Sequence, residues 1–134
     1  MTDHRAAQLS RIEARSARVG VIGLSYKADI DDDRESPSFE IIERLRAAGA
    51  EVAYCDPYIP VARKGREHDI GLSSVPCTAE EFARHDALVV STAHSDFKDA
   101  LLYAGARLVV DTRNLMAPLG LGGAGAVGPE VFRA

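Results

Sequence analysis

Tryptophan is absent from the 134 residues, and only Cys55 and Cys77 carry thiols. The two cysteines form no CxxC pair, so no disulfide is expected, and the protein reads as reduced and cytoplasmic. Cations are not in excess: 16 Lys and Arg stand against 20 Asp and Glu, giving a net charge of −4. No basic face therefore compels nucleic acid or an anionic membrane as partner. No apolar run approaches the roughly 20 residues that cross a bilayer. Residues 1–17, MTDHRAAQLSRIEARSA, are charged throughout and lack the apolar core of a signal peptide. A GxGxxG fingerprint is also missing: the chain reads GVIG and then SYK. Independent dinucleotide binding at the first strand-to-helix turn is therefore not expected.

What is present is organised around residues 18–39, RVGVIGLSYKADIDDDRESPSF. Val19, Val21, Ile22 and Leu24 make an almost unbroken apolar run, the pattern of a strand buried on both faces of a parallel sheet. Gly20 and Gly23 interrupt it and admit a close neighbour, either a helix or a ligand. A polar loop follows, then Ser36 and Pro37, which suit the N-cap and first position of a helix.

The rest of the chain alternates in the same way. A helix is expected over 37–48, with Ile41, Ile42, Leu45 and Ala48 buried and Gly49 ending it. Strands are expected at 18–24, 51–55, 87–91 and 107–110, with a weaker one at 70–75. Thr78 and Glu81 have capping-box spacing before a short helix. Ser95 is expected to cap another helix, carrying Phe97, Leu101 and Leu102 and closed by Gly105. Residues 1–17 read as a lead-in helix with a thin apolar stripe, and 117–134 as a glycine- and alanine-rich mobile tail. Between them, 18–116 reads as one α/β domain: a Rossmann-like, doubly wound parallel sheet of about five strands in three layers.

In such a sheet the loops after successive strands converge on the carboxyl edge, where ligands bind. Those loops carry Tyr26, Lys27 and Arg34, Thr92 and His94, and Asp111 and Arg113. Lysine offers a mobile point charge and arginine a planar fork for phosphate oxygens. Tyr26 can stack on a base or bond a ribose, so a phosphorylated ligand fits. The alternative is that these cations simply pair with neighbouring aspartates on a solvated loop. Asp29, Asp31, Asp33 and Glu40 fall at calcium-loop positions, but Arg34 stands where that loop needs glycine, and no metal site is expected. A triad of His94 with Ser91 and Asp96 or Asp111 can be drawn, but there is no nucleophile elbow to support it. His94 more simply bonds its own turn, and Cys55 reads as a core residue.

Three blocks, GLSYK…DDDRESP, VAYCDPY and VVDTRNLM, give residues 18–116 a further identity. Their order resembles the carboxyl-terminal, UDP-binding domain of the UDP-glucose/GDP-mannose dehydrogenase family. Within it the pattern is most similar to UDP-N-acetylglucosamine 6-dehydrogenases. The resemblance implies an NAD-dependent enzyme that oxidises a UDP-sugar C6 alcohol to a carboxylate for polysaccharide biosynthesis. It implies that Tyr26, Lys27 and Arg113 hold the UDP-sugar. It implies that Arg34 reaches an NAD bound mainly by a domain absent from this chain. The family's catalytic cysteine, catalytic lysine and NAD fingerprint have no counterpart here, so no residue is assigned as catalytic and the chain alone is expected to be inactive. The implied partners are the NAD-binding and central dehydrogenase domains, with a homo-oligomer possible. The competing readings are a free-standing nucleotide-binding or docking module and a small enzyme using His94.

Overall fold

The computed structural model describes residues 17–33, 36–62, 70–123 and 128–133. The lead-in helix expected over 1–17 lies outside the described residues but for Ala17, and Arg34 lies outside them too. Five parallel strands form one sheet: β1 (Arg18–Ile22), β2 (Glu51–Cys55), β3 (Ala87–Val90), β4 (Leu108–Asp111) and β5 (Glu130–Arg133), in the order β2-β1-β3-β4-β5. Two α-helices are described, α1 (Pro37–Ala47) and α2 (Ala79–Ala83).

The alternation of side chains along each strand divides the core into two layers. Val19, Val21, Val89 and Val110 pack beneath Phe39, Ile41, Ile42 and Leu45 of α1. Ile22, Leu88, Val90 and Val109 face the opposite way, against Phe82 of α2, Phe97, Tyr103 and Met116. The expected doubly wound, three-layer arrangement is therefore observed.

The start of α1 follows the sequence closely. Ser36 is extended and its hydroxyl accepts from the Ser38 N–H, with Pro37 at the first helical position. Gly49, with φ of 99°, lies just past the end. Ala48 is exposed rather than buried, because it is the C-cap and turns away from the stripe. Thr78 caps α2 by accepting from the Glu81 N–H at 3.2 Å.

Three expectations are corrected. The stretch 70–75 forms no strand; Ser73 makes one antiparallel bridge with Val61, and Val75 N–H donates to the Tyr54 carbonyl at the edge of β2. Glycine in a left-handed conformation at Gly71 (φ 64°) spoils its pairing. The fifth strand comes instead from within 117–134: β5 pairs in register with the whole of β4. The single helix expected from Ser95 is two 3-10 turns, Ser95–Phe97 and Ala100–Tyr103. Asp99 is extended and caps the second turn, which breaks any continuous helix, and Leu101 is 75% exposed.

Candidate ligand site at the carboxyl edge

The crossover from β1 leads to β2 on one side, and the crossover from β3 leads to β4 on the other. The loops after β1 and β3 therefore flank the switch point of the sheet, where a crevice opens in this class of fold. Gly23 brings these loops together. Its φ is 90°, and a Cβ there meets the Thr92 Cβ at 2.4 Å and the Thr92 carbonyl oxygen at 2.6 Å. The close neighbour that glycine admits is thus the loop after β3, not a helix or a ligand. Gly23 has no room for a pyrophosphate against its backbone. The residues do not form a dinucleotide cradle at this turn.

Below the rim is a layer of buried hydroxyls. Ser38 Oγ donates to the Gly23 carbonyl at 3.0 Å and lies 2.6 Å from Ser91 Oγ. Thr92 Oγ1 donates to the Ser25 carbonyl at 2.8 Å. Arg113 joins the same layer from β4: its Nε donates to the Ser91 carbonyl at 3.0 Å. Asp111 fixes the turn that carries Arg113, accepting from the N–H groups of Arg113, Leu115 and Met116 at 3.1, 3.0 and 2.8 Å.

Tyr26 and Lys27 stand above this layer. Tyr26 is 53% exposed, and neither its ring nor the Lys27 ammonium bonds another described residue. The terminal nitrogens of Arg113 likewise have no partner among the described residues. Arg113 is tied by Ser91 and Ser38 to Gly23, the root of the loop bearing Tyr26 and Lys27.

Sequence reasoning missed Asp56. It is 1% exposed and accepts from Leu24 N–H and Ser25 N–H at 2.7 and 2.9 Å, from Tyr58 N–H at 2.8 Å and from His94 Nε2 at 2.8 Å. Burial pushes its carboxyl up, but the bonds from His94 and the three amides outweigh this and hold it below the usual carboxylate range. The available signal was its position, directly after a buried strand beside the switch point. Asp29 is used in the same way. Its carboxylate accepts from Ser95 Oγ and N–H at 2.6 and 2.7 Å, and these bonds lower its pKa. Asp29, not Ser95, therefore caps that 3-10 turn. Among the described residues, no three histidine, cysteine, aspartate or glutamate side chains gather in a way that could hold a metal ion.

The drawn triad does not exist. His94 is fully buried, Ser91 bonds Ser38, and Asp111 is occupied by backbone amides. Ser25 Oγ and Asp56 Oδ2 both approach the same ring nitrogen of His94, whereas a proton relay needs one on each. Cys55 is buried, and the Cys77 thiol lies beside it.

Comparison with known proteins matches residues 20–118 to the UDP binding domain of the UDP-glucose/GDP-mannose dehydrogenase family. The chain is 34% identical over 82 residues to a UDP-N-acetyl-D-mannosamine dehydrogenase of Methanococcus aeolicus, covering 61% of this chain and 17% of the relative. It is 34% identical over 110 residues to a UDP-glucose 6-dehydrogenase of Rhizobium meliloti, covering 77% of this chain and 24% of the relative. Among solved structures, an NDP-N-acetyl-D-galactosaminuronic acid dehydrogenase from Methanosarcina mazei superimposes with a TM-score of 0.69 at 26% identity, over 95% of this chain and 26% of that one. The chain thus spans about a quarter or less of the length of these relatives.

Proposed function

Since the chain belongs to the UDP-glucose/GDP-mannose dehydrogenase family and carries its UDP binding domain, we propose that it grips the nucleotide of a UDP-sugar with Tyr26, Lys27 and Arg113. The observation that carries this reading is the tie from Arg113 through Ser91 and Ser38 to the base of the Tyr26–Lys27 loop. Through it, two cations and an exposed ring belong to one rim. The relatives' names differ in the sugar but share the domain, which favours the nucleotide as its ligand.

In this reading the chain binds and orients the diphosphate while oxidation at the sugar C6 takes place on other domains. NAD is held mainly by one of those domains, with Arg34 reaching toward it, and the whole works as a cytoplasmic oxidoreductase in polysaccharide biosynthesis. The sugar of closest motif resemblance is N-acetylglucosamine. Cys55 is buried and His94 is sealed, and in this reading the chain alone oxidises nothing.

The test is titration of UDP into the 134-residue chain, followed by amide chemical shifts. Three rim groups on one domain are expected to bind with a Kd of roughly 0.1–1 mM. Lys27→Ala and Arg113→Ala are each expected to weaken this about tenfold, the loss of one charge-assisted contact. Shifts in both variants equal to those of the unaltered chain overturn the rim. NADH formed from UDP-N-acetylglucosamine and NAD by the chain alone overturns its division of labour.

A further inference from the structure

Tyr26, Lys27 and Ala28 form an arc whose two ends are both fastened to one buried side chain. At the near end, Ser25 Oγ lies 3.1 Å from His94 Nε2, and Ser25 N–H shares Asp56 Oδ2 with that nitrogen. At the far end, Asp29 N–H donates to His94 Nδ1 at 2.7 Å. Ser25 Oγ also donates its own proton to the Lys27 carbonyl at 2.8 Å, which folds the arc back on itself.

These bonds fix the ring's tautomer. Nδ1 receives an N–H and so bears a lone pair; the ring proton is on Nε2. Ser25 Oγ has spent its proton on Lys27, so toward His94 it can only accept. Both facts require the same Nε2–H form, whose proton is directed at Asp56 with Ser25 beside it. The ring itself is clamped, its centroid 4.8 Å from that of Tyr58 and 5.4 Å from that of Phe97. One imidazole therefore joins the loops after β1, β2 and β3.

We propose that His94 is a positioning residue for nucleotide binding: through Asp29, Ser25 and Asp56 it fixes the backbone arc that presents Tyr26 and Lys27. This rests on the nucleotide-binding reading above. A loop held in its binding shape does not have to be ordered when the ligand arrives, so its loss shows as weaker affinity.

His94→Phe tests this, because a phenyl ring can occupy the space between Tyr58 and Phe97 without making either bond. The expected result is a UDP Kd raised about tenfold, with the Asp29 amide losing protection from hydrogen exchange while the amides of Val21 and Val89 keep theirs. His94→Asn supplies a rescue, since its side-chain oxygen can stand near the Nδ1 position and accept from Asp29. It is expected to recover part of the affinity and the Asp29 protection, which a merely structural role does not predict. UDP affinity within twofold of the unaltered chain in His94→Phe overturns the proposal. Should His94→Phe not fold, His94→Leu, which makes neither bond, is read in its place, and UDP affinity within twofold of the unaltered chain overturns the proposal equally. An unaltered chain that shows no UDP shifts overturns the nucleotide reading instead. The loop-fixing role is then decided by exchange alone, and retained Asp29 protection in His94→Phe ends it.

Discussion

Cys55 and Cys77 show how a residue's chemistry depends on neighbours remote in sequence. Read along the chain, Cys77 follows Pro76 with no cation or histidine beside it, and neither thiol looks reactive. In the fold the two thiols lie beside one another, close enough for each to shift the other's pKa. Burial, and then the Cys77 thiol, push Cys55 well above the ordinary thiol value. Interaction with the Cys55 thiol draws Cys77 below it, against a smaller opposing effect of burial. Since the thiolate is the reacting form, iodoacetamide near pH 8 is expected to label Cys77 in the folded chain and Cys55 only after denaturant is added. Peptide mass spectrometry reads the two sites separately; equal labelling of both under native conditions contradicts the assignment. The placement of Cys55 in the core was legible from its position at the end of an apolar strand. Its pairing with Cys77 was not, because nothing in spacing reveals a contact made across a crossover.

Elements whose signals are local were legible, and those that depend on a distant partner were not. The caps of α1 and α2 come from side chains within three residues of the amides they satisfy, so Ser36 and Thr78 declared them. The cap of the Ser95–Phe97 turn comes from Asp29 in another loop and could not be read. β5 is the same problem at greater length. EVFR is four residues long, and both of its apolar side chains are only half buried. Its evidence for being a strand is β4, to which it is bonded at four register positions. On the packed side, Val131 fills the space against which a Cβ on Gly122 would come within 2.7 Å. Val131 belongs to the same core layer as Phe97 and Val109. Val131→Asp places an ionised group there and is expected to cost about 1–3 kcal/mol, lowering the urea midpoint, while Glu130→Gln on the exposed face changes little. Equal midpoints for Val131→Asp and the unaltered chain indicate that β5 contributes nothing to stability.

At the scale of the molecule, titratable groups with shifted pKa values lie at both ends of the sheet. At the carboxyl edge, Asp56 and Asp29 have lowered pKa values, so their contribution to stability is present above the unfolded carboxylate value of 3.8 and is lost as pH falls through the folded one. At the opposite edge, His85 lies against Gly20, with its Cδ2 3.2 Å from where a Cβ there would stand. Its Nε2 lies 3.3 Å from Glu81 Oε2, and its Nδ1 is buried without a hydrogen-bond partner among the described residues. Burial lowers its pKa below the ordinary 6.5, only partly offset by Glu81, while Arg18 adds to the lowering. The sign is the same as for the carboxylates. Below 6.5 the unfolded chain takes up a proton that the folded chain resists, so stability falls with acidification. The two edges separate by range: His85 acts first, from about pH 6.5 downward, and the carboxylates act later. Replacing His85 with glutamine is expected to flatten the first part of a stability-against-pH curve from urea denaturation and to leave the later, carboxylate part in place. A variant curve parallel to that of the unaltered chain across the first range assigns the early loss to some other group.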